Sequence, residues 1–357
     1  MNQRRPLLPN KRGSTRPRSR FFLLALILAS SPMAPSTAQD VPPKPNHFAA
    51  PTRRALIICG LPGDEEHRSK YAGAVEKIAK ALVEQDGFAS KDVWVRFGVA
   101  PKPEDGPNVK NSRGLSTKND LAADVEAIRK ASTGQDALWV IVLGHAHYDG
   151  RHAHLNLPGP DISDTAFGKL FEGIEAREQV FFITTSASGF FLKPLSRPGR
   201  VSISATEADQ EVNETVYPVA LAEVLAAPPT ETARDKDGTF SVFDLYLAVV
   251  VDVMKRYADD ELIATEHAQL DDNGDGHGSE VQLIFLPPES GGQIVEEKKP
   301  DEKKDKDKDK AAKKEKDSEA KKPPTLGPKD DGFLSSRVPV GLPPATPKSA
   351  ETVGGPK

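Results

Sequence analysis

Two histidines and a serine follow two apolar segments of the chain, and their chemistry gives the first indication of function. His145 and His147 come just after Leu138–Leu143, and Ser186 comes just after Val180–Thr184. An imidazole is the common general base at neutral pH, and a hydroxyl within its reach is a potential nucleophile. The pattern therefore predicts a histidine and a serine suited to acyl transfer if the fold brings them together.

The segments before these residues are typical of strands buried on both faces. They are short, apolar and rich in β-branched residues, and stretches with helical spacing separate them. Strands are predicted at Ala55–Cys59, Val93–Phe97, Leu138–Leu143, Val180–Thr184 and Val201–Ser204. This alternation indicates an α/β fold with a mostly parallel sheet and helices on both faces. Reactive groups in such sheets lie just past the carboxyl ends of strands, where His145 and Ser186 stand.

The N-terminus has the composition of an export signal. Residues 1–20 carry seven arginines and lysines and no acid, and the apolar core Phe21–Ser30 is short for a bilayer span. Small residues at Ser36–Ala38 supply a cleavage site, so 1–38 is predicted as a signal peptide and 39–52 as a linker. We expect an extracytoplasmic protein, periplasmic or secreted, that meets the membrane only through this signal. An uncleaved anchor is the alternative.

Composition and charge narrow the class of partner. The chain has 357 residues and a formal net charge of −4, which gives no case for a nucleic-acid partner. The single cysteine, Cys59, excludes an internal disulfide framework. Residues 288–357 are rich in charge and proline and are predicted to be a disordered tail. The oligomeric state is not indicated by any of these features.

Part of the folding sequence resembles the caspase-like peptidases, and within them the legumain branch. Gly144-His145 matches the histidine turn of that group, and Thr184–Gly189 is similar to its Glu-Ala-Cys-Glu-Ser-Gly segment. The resemblance covers residues 53–227 and implies a caspase/legumain-like domain with catalytic positions at His145 and Ser186. It further implies a substrate pocket for Asn or Asp that contains Arg68, Glu214 and Thr215.

Two departures from that group change the expected chemistry. Ser186 stands where the group has a nucleophilic cysteine, and Ala146 replaces the glycine that follows the histidine. A thiol is partly ionised at neutral pH, whereas a hydroxyl needs an oriented base to remove its proton. The leading interpretation is a catalytically impaired module that binds a peptide or protein segment in its cleft and requires no cofactor. The alternative is an active hydrolase, with Ser186 as nucleophile, His145 as base and backbone N–H groups near residues 145 and 186 binding the oxyanion.

A zinc hydrolase is a further alternative. His145 and His147 resemble the start of the His-x-His-x-Asp-His signature of metallo-β-lactamase-type enzymes. Residues two apart in an extended segment share a face, so both imidazoles can reach one zinc ion. Gly150 stands where that signature has its next histidine, which disfavours this interpretation.

Residues 228–287 are predicted to form a helical extension with two loops that resemble EF-hand calcium loops. Asp235 and Asp237 have the spacing of ligands in the first loop, and the second loop contains Asp271, Asn273 and Asp275. Neither loop has the glutamate that ends a calcium loop, which weakens calcium binding. A structural calcium is therefore one interpretation, and ordinary Asx turns are the other.

Overall fold

A seven-stranded sheet forms the centre of the structure, which is a computed structural model that describes residues 50, 52–209, 211–227, 239–280 and 325–341. In chain order the strands are β1 (Arg53–Cys59), β2 (Val93–Arg96), β3 (Ala137–Leu143), β4 (Ala146–Tyr148), β5 (Ala153–Leu155), β6 (Ile162–Ser163), β7 (Glu178–Ile183), β8 (Arg200–Ser204), β9 (Phe240–Ser241), β10 (Gln269–Asp271), β11 (Ser279–Glu280) and β12 (Pro339–Val340). The helices are α1 (Glu65–Glu84), α2 (Pro107–Lys110), α3 (Lys118–Ala131), α4 (Asp164–Leu170), α5 (Leu192–Leu195), α6 (Tyr217–Ala226) and α7 (Val242–Asp259).

The strand order across the main sheet is β11-β10-β8-β7-β3-β1-β2. Strands β8, β7, β3, β1 and β2 run parallel, whereas β10 is antiparallel to both β8 and β11. The predicted α/β fold with a mostly parallel sheet is therefore confirmed. Strands β4, β5 and β6 form a small antiparallel sheet, and β9 pairs with β12.

Helices flank the sheet because its inner strands are apolar towards both faces. On β3, Trp139 and Ile141 belong to one hydrophobic cluster, and Val140 and Val142 belong to the other. The first cluster includes apolar residues of α1, α6 and α7, and the second includes those of α3 and α4. Because apolar side chains cover both faces of the sheet, its edges are the places where polar groups can lie.

Side-chain caps fix where several helices begin. Thr117 accepts a hydrogen bond from the Asp120 N–H at the start of α3. Ser163 caps α4 in the same manner, by accepting from the Ala166 N–H. Asp64 caps α1 by accepting from the His67 N–H, and it thereby places His67 in the first turn.

The chain after α6 joins the main sheet instead of forming only a helical extension. Helix α7 packs against the same cluster as α1 and α6. Strand β10 then adds antiparallel to β8, with Leu270 opposite Ile203. Strands of two or three residues carry too few side chains for a periodic pattern, so β4–β6 and β9–β12 are not detected from the sequence.

The prediction of a disordered tail is wrong for residues 325–341, which we call the C-terminal segment. Its strand β12 pairs with β9, and Val338 and Val340 are buried in the first hydrophobic cluster. Asp272 lies beneath the segment and accepts the N–H groups of Gly332 and Ser335. Unlike the preceding lysine-rich run, the segment carries enough apolar side chains to bury.

Several predictions lie outside the described residues. These are the signal peptide 1–38, most of the linker 39–52, the first calcium-like loop with Asp235 and Asp237, and residues 288–324 and 342–357 of the tail. Within the described ranges, no helix is long and apolar enough to cross a bilayer.

Candidate functional site

His145 and Ser186 stand at the carboxyl edge of the sheet on two adjacent strands. Strand β3 lies beside β7 with Val142 opposite Ile183, and each of the two candidate residues follows its strand closely. Gly144 turns the chain between β3 and His145 with φ of +115°, and a Cβ there would lie 3.0 Å from the backbone nitrogen of a neighbouring glycine. Only glycine fits this turn. His145 and Ser186 therefore follow the ends of neighbouring parallel strands.

The hydroxyl of Ser186 both accepts a hydrogen bond from the backbone of Ala146 and donates one to it. The Ala146 N–H donates to Oγ at 3.1 Å, and Oγ donates its hydrogen to the Ala146 carbonyl at 2.7 Å. Ser186 is only 3% exposed. The hydroxyl thus occupies the N–H group that an oxyanion next to residue 145 would need, and its single hydrogen does not point to an imidazole.

His145 is held in one tautomer by the backbone of the β1–α1 loop. Its Nε2 lies 3.0 Å from the carbonyl oxygen of Pro62, and a carbonyl can only accept. Nε2 therefore carries a hydrogen, and the neutral ring keeps its lone pair on Nδ1. The ring packs edge-on against His67 and Tyr71, with centroids 5.1 and 5.6 Å away. No hydrogen bond joins His145 to Ser186 within the described part of the chain.

A group of charged side chains beside His145 forms the second half of the site. His67 Nδ1 contacts Asp64 Oδ1 at 2.6 Å, and its Nε2 contacts a carboxylate oxygen of Glu214. Lys70 Nζ donates to the other oxygen of Glu214 at 2.9 Å. We call these residues the His67 cluster: Asp64, His67, Lys70 and Glu214. Because α1 carries His67 and Lys70 in its first two turns, the cap at Asp64 positions the part of the cluster that belongs to this helix.

Within the His67 cluster, each charged side chain favours the ionised form of its oppositely charged neighbour. The hydrogen bonds that His67 donates to Asp64 and then to Glu214 raise the pKa of His67. Burial opposes ionisation of Glu214, but the hydrogen bonds from Lys70 and His67 outweigh it and lower the pKa of that carboxyl. The cluster therefore offers both cationic and anionic groups next to His145.

Of the three residues predicted to form the substrate pocket, only Glu214 lies in this cluster. Arg68 is 4% exposed and its guanidinium makes two hydrogen bonds to Asp105, at 3.0 and 2.6 Å. The Thr215 hydroxyl is buried and donates to the Thr184 carbonyl at 2.6 Å. Neighbouring helical residues point in directions about 100° apart, so His67 and not Arg68 faces the site. The acidic cap three residues before His67 is the sequence signal that could have identified it.

The histidines of the zinc alternative bind different partners. His147 Nδ1 contacts Asn156 Oδ1 at 2.8 Å, and the ring stacks on His154. His145 instead directs its Nε2 hydrogen at Pro62. Within the ranges that the structure describes, no group of three or more His, Cys, Asp or Glu side chains is placed to hold a metal ion.

The second calcium-like loop is closed by its own hydrogen bonds and by the C-terminal segment. Asp271 accepts the N–H groups of Gly274 and Gly276, and the side chains of Asn273 and Asp275 contact each other at 3.2 Å. Burial raises the pKa of Asp271. Calcium at Asp271, Asn273 and Asp275 stays a prediction.

The comparisons with known proteins leave the family unassigned. No protein-family model matches the chain, and the search of curated proteins also found no match.

Proposed function

We propose that this chain is an exported protein with a caspase/legumain-like domain that binds a peptide or protein segment without hydrolysing it. The order of the strand ends supports the resemblance, because His145 and Ser186 follow adjacent parallel strands. Glu214 reaches the same edge from the chain that follows β8. The bound segment would lie along this carboxyl edge, where ligands of open α/β sheets bind.

One observation carries the proposal that hydrolysis has lapsed: Ser186 and the backbone of Ala146 satisfy each other. Attack on a carbonyl needs a hydroxyl hydrogen directed at a base and an N–H group free for the oxyanion. In this site the hydrogen goes to the Ala146 carbonyl and the N–H goes to Oγ. A thiolate would have no hydrogen to give to that carbonyl, which is why the change from cysteine to serine matters.

The edge of β4 supports peptide binding. The Asn156 N–H donates to His145, and the Asp149 N–H donates to His152, so alternate residues of β4 face β5. The backbones of Ala146 and Tyr148 therefore face away from β5. Ser186 already bonds to the backbone of Ala146. The backbone of Tyr148 has no hydrogen-bond partner within the described ranges, so it is open to an added strand.

An active hydrolase is the second candidate, and the contact of His145 with Pro62 favours it. That contact leaves Nδ1 of the neutral ring as the basic nitrogen, which is what a general base requires. The two candidates share the binding edge and differ only in whether Ser186 attacks.

Labelling with a serine-reactive phosphonate, together with turnover of Asn- and Asp-containing peptides, tests the proposal. We expect the full-length protein to bind a fluorescent peptide pool, to remain unlabelled and to leave the peptides intact, with Ser186→Ala behaving identically. Labelling and cleavage that disappear in Ser186→Ala would overturn the proposal in favour of the hydrolase. A protein that binds none of the peptides would overturn it as well.

A further inference from the structure

A groove of about 640 Å³ lies next to the turn that carries Ser186 and is separate from the His67 cluster. Its walls come from the β4–β5 turn, the start of α4, the chain from Gly189 to α5, the residues after β8 and the loop after β10. This volume is within the range of known ligand sites and holds a few side chains of a peptide. The side chains that matter for its charge and shape are Arg151, His152, Phe190, Lys193, Glu207 and His277.

Two cations in this Arg151 groove are free to bind a ligand. Arg151 and Lys193 are exposed, and neither side chain has a hydrogen-bond or ion-pair partner within the described ranges. They come from different walls, the β4–β5 turn and α5. A guanidinium and an ammonium that line the same groove are complementary to the carboxylates of a ligand.

The groove is also lined by two carboxyls, one of which is already paired with other side chains. Asp164 is buried, and it accepts from His152 at 2.9 Å and from the hydroxyl of Thr165 at 2.9 Å. It also belongs to the first turn of α4, where a helix stabilises negative charge. Glu207 is the remaining carboxyl, and burial followed by its acidic neighbours raises its pKa. His277 also lines the groove and is exposed.

An aromatic pair links the groove to the β4 edge. The ring of Phe190 lines the groove and stacks on Tyr148, with centroids 4.2 Å apart and planes at 5°. Tyr148 is also the residue whose backbone is open to an added strand. A peptide on the β4 edge would therefore continue directly into the groove.

We propose that the Arg151 groove selects acidic peptide segments, with Asp or Glu side chains of the ligand paired to Arg151 and Lys193. This inference rests on the proposed function, since it names the class of peptide that the same edge binds. Phe190 and Tyr148 supply contact area for the ligand backbone and its apolar side chains. The cations supply the preference for carboxylates over amides.

Two fluorescein-labelled peptide pools of equal length test the inference by fluorescence anisotropy on the full-length protein. Both pools are randomised at alternate positions, and the fixed positions are Asp or Glu in one pool and Asn or Gln in the other. We expect the acidic pool to bind about five- to tenfold more tightly at low salt, with the difference shrinking as salt is added. The double variant Arg151→Glu/Lys193→Glu should lose this preference.

A matched control separates local from overall charge. Lys118→Glu/Lys130→Glu changes the net charge equally on exposed positions of α3 that do not line the groove, and it should keep the preference. Equal binding of both pools by the unaltered protein, or an unchanged preference in Arg151→Glu/Lys193→Glu, would overturn the inference and leave the proposed function standing. Binding of neither pool would overturn the proposed function itself.

Discussion

A serine hydroxyl has one hydrogen and two lone pairs, and at Ser186 the backbone of one residue uses both functions. The Ala146 N–H and carbonyl lie 3.1 and 2.7 Å from Oγ. His145 nevertheless keeps the tautomer of a base through Pro62. The site thus retains the groups that would assist a thiolate, while its own nucleophile is bound to the backbone.

The first prediction at the residue scale concerns Ser186→Cys. Because the Ala146 N–H contacts position 186 and the neutral His145 ring keeps a basic Nδ1 at the same edge of the sheet, we expect the new thiol to react with a small alkylating reagent at pH values below the ordinary pKa of cysteine. Cys59 is an internal control, since burial raises its pKa and leaves its thiol inert. Mass spectrometry after alkylation identifies the modified residue. An unmodified Cys at position 186 across neutral pH would show that the damage extends beyond the nucleophile.

The second prediction concerns the protonation of His67. Hydrogen bonds that His67 donates to Asp64 and Glu214 raise its pKa above the ordinary value of about 6.5. The contribution of His67 to stability is therefore full below pH ~6.5 and is lost as the pH rises through the folded pKa. We expect Asp64→Asn to lower this pKa more than Glu214→Gln, as measured by NMR titration of the imidazole protons. Glu65→Gln, in the same helical turn but paired with Lys102, should leave it unchanged.

A titration of His67 that is identical in Asp64→Asn and in the unaltered protein would contradict the described cluster. That result would mean that the His67 cluster does not form at the proposed binding edge. The comparison of Asp64→Asn with Glu214→Gln is informative because Asp64, unlike Glu214, is also the cap of α1.

At the scale of elements, a carboxylate caps α6. Glu266 accepts the N–H groups of Val216 and Tyr217, and this cap anchors the chain that carries Glu214. Burial raises the pKa of Glu266 to about 7. A glutamate is ionised above pH ~4.3 in the unfolded chain, so the folded state binds an extra proton between that pH and 7. The free energy of unfolding must fall as the pH rises through this window.

The third prediction is that Glu266→Gln reduces this pH dependence. Between about pH 5 and pH 8 the free energy of unfolding of the unaltered protein should fall by on the order of 2–3 kcal/mol more than that of the variant, because glutamine cannot ionise. Urea denaturation of both proteins at the two pH values measures the difference. Parallel pH profiles would contradict the buried location of this carboxyl.

The fourth prediction concerns the C-terminal segment. Asp272→Ala leaves the N–H groups of Gly332 and Ser335 without their acceptor, which should lower the free energy of unfolding by about 1–3 kcal/mol. Limited proteolysis should then cut within residues 325–341. Asp275→Ala is the matched control, since Asp275 is exposed and contacts only its own loop. Equal resistance of both variants would contradict the docking of the segment.

At the scale of the whole molecule, the sequence predicts the layers well and the site only in part. Seven apolar residues in β3 and periodic helices leave few alternatives to a covered parallel sheet. Arg68 and His67 illustrate the limit, because only the start of α1 decides which of the two faces His145. Ser186 illustrates a second limit of prediction from sequence, since its partner is a backbone group that no side-chain pattern reveals.

The Arg151 groove depends on the whole molecule as well. Its residues come from chain segments between β4 and β11, and only the sheet order brings the loop after β10 next to the turn after β7. Such a surface is visible in the assembled fold but not in any single stretch of sequence.

Mass spectrometry of peptides recovered from the full-length protein tests the central claim most directly. A mixed peptide pool is incubated with the protein and with Ser186→Ala, and the retained peptides are eluted and sequenced. We predict that both proteins retain the same peptides and that every retained peptide keeps its original ends. Peptides cut after one residue type by the unaltered protein and left whole by Ser186→Ala would contradict the claim.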